Sequence, residues 1–468
     1  MSEITPDEID VGPPPKIEST STWFALRNGV FLRIWLATVL SGIFVSAQEV
    51  TATWLMHDLG ASYLLSLMAT AASTPLFLFT LPAGVIADMV NRRTVILAAV
   101  TWQEACSALL AVGAWTHAIG ISSVLACVFA FGIGAAFSNT VWGASVPDIV
   151  SKEQLPSAIT LGGVQLNIAG IAGPALGGLL LSLLGAPLLI SINVVAFLLV
   201  ALAVLRWKPR PVHPSNLRES FRESFMSSFR YANSSLRFKI ILFRNGMFSL
   251  AISAIPALLP VIALAELKCT AAQLGLFFTC VAVGSLAGAV IVLPYLRQRT
   301  SPNAITSIAM GIATVVLLSM ALARNPPALM ITVALAGVAW AMAASEFWLA
   351  GQRVMPTWVR GRLNALLIMV GQGGIALGSV LLGAGAAHAG LDLTLTAAAV
   401  LAFIGLGVGY RFSINFDSRD SVDATLLNPL HRFPLPFAQQ NDGVAFECRT
   451  TLLGRITGHG KRAEDRNR

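Results

Sequence analysis

Twelve long apolar runs, each about the length that crosses a bilayer once, leave this chain very few folds to adopt. An α-helix needs roughly 20 mostly apolar residues to span about 30 Å of hydrocarbon. The runs lie at 33–56, 63–87, 94–116, 119–143, 157–181, 185–206, 239–265, 273–296, 303–323, 327–351, 363–387 and 391–412. No water reaches backbone groups at that depth, so each run has to bond within its own helix. The expectation is an all-α membrane protein with twelve transmembrane helices. Only 12% of the residues are charged, against about 25% in soluble domains.

The runs divide six and six, giving an N-terminal tail over 1–32, one helical bundle over 33–206, a linker over 207–238, a second bundle over 239–412 and a tail over 413–468. The net charge of +8 raises the question of nucleic acid, but its distribution points to topology. An even number of crossings puts both termini on one side. The short loops and span ends on that side carry seventeen Lys/Arg: Arg92, Arg93, Lys152, nine in a basic linker stretch from Arg206 to Arg244, Arg297, Arg299, Arg353, Arg360 and Arg362; the opposite loops carry only Lys268 and Arg324. Cytosolic loops hold such an excess, so both termini are expected in the cytosol of a cell whose plasma or inner membrane the chain crosses repeatedly. The basic residues then meet lipid head groups, and no nucleic-acid partner is expected. The first 30 residues lack the order of a cleaved signal peptide. The five scattered cysteines have no metal-site spacing, and no cofactor or metal is expected.

The linker over 217–231 has the pattern of an amphipathic helix or of a solvated connector. The tail reads as unstructured apart from a short strand near 444–448. The two halves echo each other. A Trp and a Pro (Trp142 and Pro147; Trp348 and Pro356) precede a polar turn and a Gly-rich span in each. Half-to-half similarity is the mark of a repeat-built transporter.

The loop after the second run reads Gly84-Val-Ile-Ala-Asp88-Met-Val-Asn91-Arg92-Arg93. Gly84 permits close helix approach, Asp88 is an anion suited to a helix N-terminus, and Arg92 and Arg93 suit carboxylates or lipid phosphate. This resembles the loop of the major facilitator superfamily. The resemblance implies two six-helix bundles latched here on the cytosolic side, with the first, fourth, seventh and tenth spans lining a central cavity.

The fifth run contains Gly170, Gly173, Pro174, Gly177 and Gly178 at spacings that share one helix face. A face without side chains admits another helix, and Gly284-Ser-Leu-Ala-Gly288 of the eighth run offers itself as the partner. The pattern resembles the antiporter motif of exporters in the superfamily. With Pro147-Asp148, Leu155-Pro156 and the Arg360-Gly361-Arg362 before the eleventh run, residues 20–412 resemble the branch holding the enterobactin exporter and the transmembrane secretion effectors. Two departures stand out. Val128 occupies the place of the arginine found in the fourth span of proton-coupled drug exporters. The second half's latch, Leu293 to Arg299, lacks its acid.

Within the spans the carboxylates are Glu49, Glu104 and Glu346. Each costs about 2.5–3.5 kcal/mol at a helix centre. Low-dielectric surroundings disfavour a carboxylate's charged form, which makes each a candidate proton carrier. Glu49 shares a stripe with Thr38, Gly42, Ser46 and Thr53, small or polar throughout, as a cavity face would be. Gln48 and Asn139 are polar neighbours; Phe44, Phe131, Trp142, Phe248 and Trp340 are aromatic ones. Pro256 and Pro260 should bend the seventh span. The expected function is secondary active export of a small apolar or amphiphilic molecule (a siderophore, drug or metabolite), with Glu49, Gln48, Asn139 and Glu346 as the groups for cargo or protons, and the chain working as a monomer. The alternatives are a symporter bringing a solute in, a membrane enzyme and a non-transporting scaffold. No metal-binding helix motif, nucleophile elbow or phosphate-cradling loop supports the enzyme.

Overall fold

The structure, a computed structural model, describes residues 22–61, 64–207, 229–322, 325–355 and 360–412, without the side chains of Asp88 and Val408. Among them, eleven helices are long and apolar enough to cross a membrane. One of these, Leu155–Leu205, has 51 residues. At 1.5 Å per residue it would run about 77 Å, more than twice the hydrocarbon thickness. Gly185 breaks it, at φ 78° and ψ 165°, a conformation essentially reserved for glycine. The chain therefore makes the twelve crossings that its apolar runs require.

We number them α1 (Gly29–Asp58), α2 (Ser66–Met89), α3 (Arg92–Trp115), α4 (Ile121–Ile149), α5 (155–184), α6 (186–205), α7 (Leu236–Glu266), α8 (Ala271–Arg297), α9 (Pro302–Leu322), α10 (Pro326–Val354), α11 (Arg360–Ala389) and α12 (Leu391–Arg411). Several starts are fixed by polar side chains that satisfy orphan N–H groups. Asn28 accepts from the Val30 and Phe31 amides at 3.0 and 3.2 Å and donates to the Ile149 carbonyl at 2.9 Å, tying the start of α1 to the end of α4. Asn91 caps α3, Thr270 caps α8 and Asn325 caps α10. The face from which α1 starts and at which α12 ends is called the terminal face below; the opposite one is the far face.

The major facilitator fold follows from which helices pack. In the first half α1 packs on α5, α2 and α3 on α4, and α3 on α6; in the second, α7 packs on α11, α8 and α9 on α10, and α9 on α12. The same pairs recur six helices on, as the sequence echo requires. Between halves the main partners are α2 with α11 and α5 with α8, again related by a shift of six.

The interruptions in α7 sit at its prolines. It is α-helical over Leu236–Ile252, turns at Ser253, resumes over Ala254–Pro260 and ends π-helical over Val261–Glu266. Pro256 offers no N–H to the Ile252 carbonyl, and Pro260 none to that of Pro256. A second π-helical stretch, Gly288–Val292, lies in α8.

Most of the linker and all of the tail, including residues 217–228 of the helix expected over 217–231 and the strand expected over 444–448, lie outside the described residues; residues 229–234 are helical. One residue assigned to the basic linker belongs inside the fold. Arg244 is 5% exposed. Its guanidinium donates to Asn303 and to the Thr306 hydroxyl (2.7 Å) of α9, and to the Phe412 carbonyl (3.3 Å) just past α12. A cation at a helix C-terminus is favourable, and the planar fork reaches both neighbours. Arg244→Met should lower the stability of the purified protein by about 2–3 kcal/mol, the worth of hydrogen bonds to a charged group. Arg244→Lys should not restore it, because a single ammonium cannot span both helices. Thermal unfolding in detergent reads both.

Candidate functional site

The fifth helix organises the centre of the molecule. Gly173 and Gly177 face α1: a Cβ at Gly173 would lie 2.7 Å from the Ile43 carbonyl oxygen, and one at Gly177 2.7 Å from the Ala47 Cα. Gly170, Pro174 and Gly178 face α8, where a Cβ at Gly178 would lie 2.7 Å from the Ala271 carbonyl oxygen. The glycine stripe thus serves two neighbours. Its partner on α8 is Gly275, where a Cβ would fall on the Pro174 carbonyl oxygen. The expected partners Gly284 and Gly288 face α10 instead, against Ala334 and Val338. The correction has a plain cause: α8 carries small residues on two faces, and a list of small residues does not say which face meets which helix.

Contacts between the halves lie toward the far face. The Thr70 hydroxyl donates to the Ala376 carbonyl at 3.4 Å, and Thr279 to that of Ile171 at 3.3 Å. Gly383 meets Ser66, Gly373 meets Phe77, and Gly178 meets Ala271 and Ala272. Ser66, Thr70 and Phe77 come from the far half of α2; Ala271 to Thr279 come from the far half of α8.

The α1 stripe is not an open cavity wall. Thr38 bonds to Gln165 at 3.3 Å, Gly42 lies against Ala169, and Ser46 lies against Gly173. Small residues there admit α5. Glu49 remains exposed, while Ala52 and Met56, one and two turns toward the far face on the same side of α1, are buried. Among the described residues no side chain bonds to the Glu49 carboxylate; its backbone carbonyl accepts from Thr53 at 2.8 Å. Asn139 of α4 is exposed, although Gly132 and Gly134 of the same helix are pressed against Pro75 and Gln103. On the second half, Phe248 of α7 sits 6.3 Å, ring to ring, from both Trp340 and Phe347 of α10, and Trp340 is 37% exposed.

The other two candidates have partners that account for them. The Gln48 side-chain oxygen accepts from Asn193 of α6 at 2.6 Å, with both residues buried. Glu346, 2% exposed, is paired with Arg297 of α8 at 2.7 Å. The acid missing from the second latch sequence is therefore supplied by α10. The first half has the counterpart: Arg92 donates to Asp148 of α4 at 2.9 Å and to the Ala144 carbonyl at 2.7 Å. Each half so joins an arginine at the terminal face to an acid six helices from its counterpart. Asp148 entered the sequence reading only within the Pro147-Asp148 resemblance; its pairing with Arg92 was not read, and a lone acid at a helix end opposite a basic loop was the available signal. Glu346→Ala removes a short hydrogen bond between charged groups and leaves the partly exposed Arg297 without its partner, which should cost about 2 kcal/mol; the double change Arg297→Met with Glu346→Met should recover most of it in thermal melts.

The remaining latch residues are placed as follows. Arg93 donates to the Leu205 carbonyl at 2.5 Å. Gly84 meets only a Thr140 methyl at ordinary contact distance, 3.8 Å, so no close helix approach depends on it in this state. The side chain of Asp88 lies outside the described residues. Arg360 and Gly361 open α11 exposed, and Arg362 is half-buried there.

Comparison with known proteins follows the same lines. The model of the family described as transmembrane secretion effector matches residues 20–443. The enterobactin exporter EntS of Citrobacter koseri is 25% identical over 389 residues, covering 81% of this chain and 88% of that one. That of Salmonella typhimurium is also 25% identical, over 81% and 89%. Among solved structures, a bacterial homologue of the human lysosomal transporter Spinster, inward-facing and unoccupied, superposes with a TM-score of 0.67 at 14% identity, covering 85% of this chain and 98% of that one. A POT family transporter in complex with 5-aminolevulinic acid gives 0.69 at 11%, over 82% and 96%.

Proposed function

The chain belongs to the transmembrane secretion effector family, and from that membership we propose that it is a secondary exporter of a small apolar or amphiphilic molecule, working by alternating access. That it is a multi-pass transporter of the major facilitator type, and not an enzyme, follows from its relatives and fold neighbours. Export, cargo and coupling are the proposal. A siderophore is the cargo named for the enterobactin exporters, and enters here as one member of the proposed class.

One observation carries the reading: the halves touch in the far half of their depth, through α2 with α11 and α5 with α8. The positive-inside bias makes the terminal face cytosolic. The state is then closed outside, with Glu49, Asn139 and the Phe248–Trp340 pair available to a cargo entering from the cytosol. Rocking the halves about the α5–α8 crossing would exchange which side is open. Glu49 is the group proposed to take up and release a proton, since Glu346 and Gln48 already have partners.

The test uses inside-out and right-side-out vesicles with an imposed pH gradient and a panel of amphiphiles. Export predicts accumulation in inside-out vesicles acidified within. Accumulation only in right-side-out vesicles would make the chain an importer.

A further inference from the structure

On the far face, between the ends of α1, α5, α7 and α8, lies a cavity of ≈ 770 Å³, within the range of clefts that hold a drug-sized molecule. Both halves build it. Trp54, His57 and Leu181 come from the first, and Leu264, Lys268 and Ala271 from the second. It sits beside the α5–α8 seam, where Gly178 meets Ala271. The lining is mainly apolar and contains no carboxylate. Lys268 supplies its one fixed charge, and among the described residues no acid is paired with that ammonium. Two further facts set Lys268 apart. It is one of only two Lys/Arg in the loops of this face, where such residues are depleted. Its backbone also holds φ 51°, a left-handed conformation that glycine would adopt without penalty. Across the cavity the rings of Trp54 and His57 stand 5.7 Å apart.

We propose that this cavity binds a small amphiphilic anion, with its aromatic or alkyl body against Trp54 and Leu181 and its carboxylate or sulfonate on Lys268, and that the bound molecule holds the far side shut. Charge complementarity selects the head group, and the apolar walls select the body. A molecule that touches both halves only while they are together stabilises that arrangement by its differential affinity. The second clause rests on the alternating-access reading; binding itself does not.

The test titrates 2-naphthoate into the full chain in nanodiscs by calorimetry, with empty nanodiscs as the blank. Saturable binding is expected, weakened at least about tenfold by Lys268→Glu and by Ser182→Trp, which fills the space, with both variants melting like wild type. The isosteric cation 2-naphthylmethylammonium should not bind. Binding no greater than the blank, or equal binding of anion and cation regardless of residue 268, overturns the site. Spin labels at residues 184 and 270 then read the clamp, and 2-naphthoate should narrow their distance distribution. If the anion binds and the distribution keeps its width while responding to a pH gradient, the clamp is wrong. If the distribution responds to nothing, the alternating-access reading fails instead.

Discussion

Glu49→Gln should erase concentrative transport while leaving downhill exchange of cargo intact. One proton crossing a potential of 100 mV carries about 2.3 kcal/mol, enough to sustain a cargo gradient of roughly 50-fold. An exporter spending one proton per cargo loses that gradient when the carrier can no longer be deprotonated, and the accumulation ratio should fall to near unity. Glutamine keeps the shape, and among the described residues no side chain bonds to the carboxylate that the amide would lose, so the variant should fold as before. Glu49→Asp should retain part of the gradient. Steady-state accumulation in vesicles, with the gradient imposed and then collapsed, reads the effect. Full accumulation by the glutamine variant would remove Glu49 from the mechanism.

The second large effect is expected at Gly275. Leucine there must displace the Pro174 carbonyl across the seam. Overpacking of this kind costs about 3 kcal/mol, and here only the far-closed state bears it, which shifts the balance between states by roughly 150-fold. Transport should fall by more than an order of magnitude, with the protein still folded and its far side held open. Gly284→Leu is the control, because its contact with Ala334 lies within one half. That change should lower the melting temperature without favouring either state. Wild-type transport by Gly275→Leu would mean that the α5–α8 crossing does not gate the far side.

The apolar runs made the crossings legible. The length and the apolar composition of each run are local properties, so twelve spans could be placed without knowing what they touch. Even the fused Leu155–Leu205 helix was divided into two runs, 157–181 and 185–206, and the structure breaks it at Gly185. Partnership between helices was not legible. Gly170 to Gly178 announced close packing, but only the crossing geometry assigns Gly173 and Gly177 to α1 and Gly178 to α8. Gln48, Asn193, Glu346 and Arg297 are each costly alone in lipid and acceptable in pairs, and the members of a pair lie 145 and 49 residues apart. Arg244 looked like a linker cation because its acceptors, Asn303, Thr306 and Phe412, belong to helices that sequence cannot bring alongside. Among the described residues neither Glu49 nor Glu104 has such a partner; of the two, only Glu49 belongs to a span that the superfamily resemblance places at the cavity.

The central claim is that the two halves exchange which face is open, and paired spin labels test it most directly. With the native cysteines replaced, one pair would report the far face at residues 184 and 270, and another the terminal face at residues 152 and 299. Imposing a pH gradient, or adding cargo, should shorten the terminal-face distance in the same fraction of molecules in which the far-face distance lengthens. Two distributions that stay fixed, or that widen together, would contradict the account.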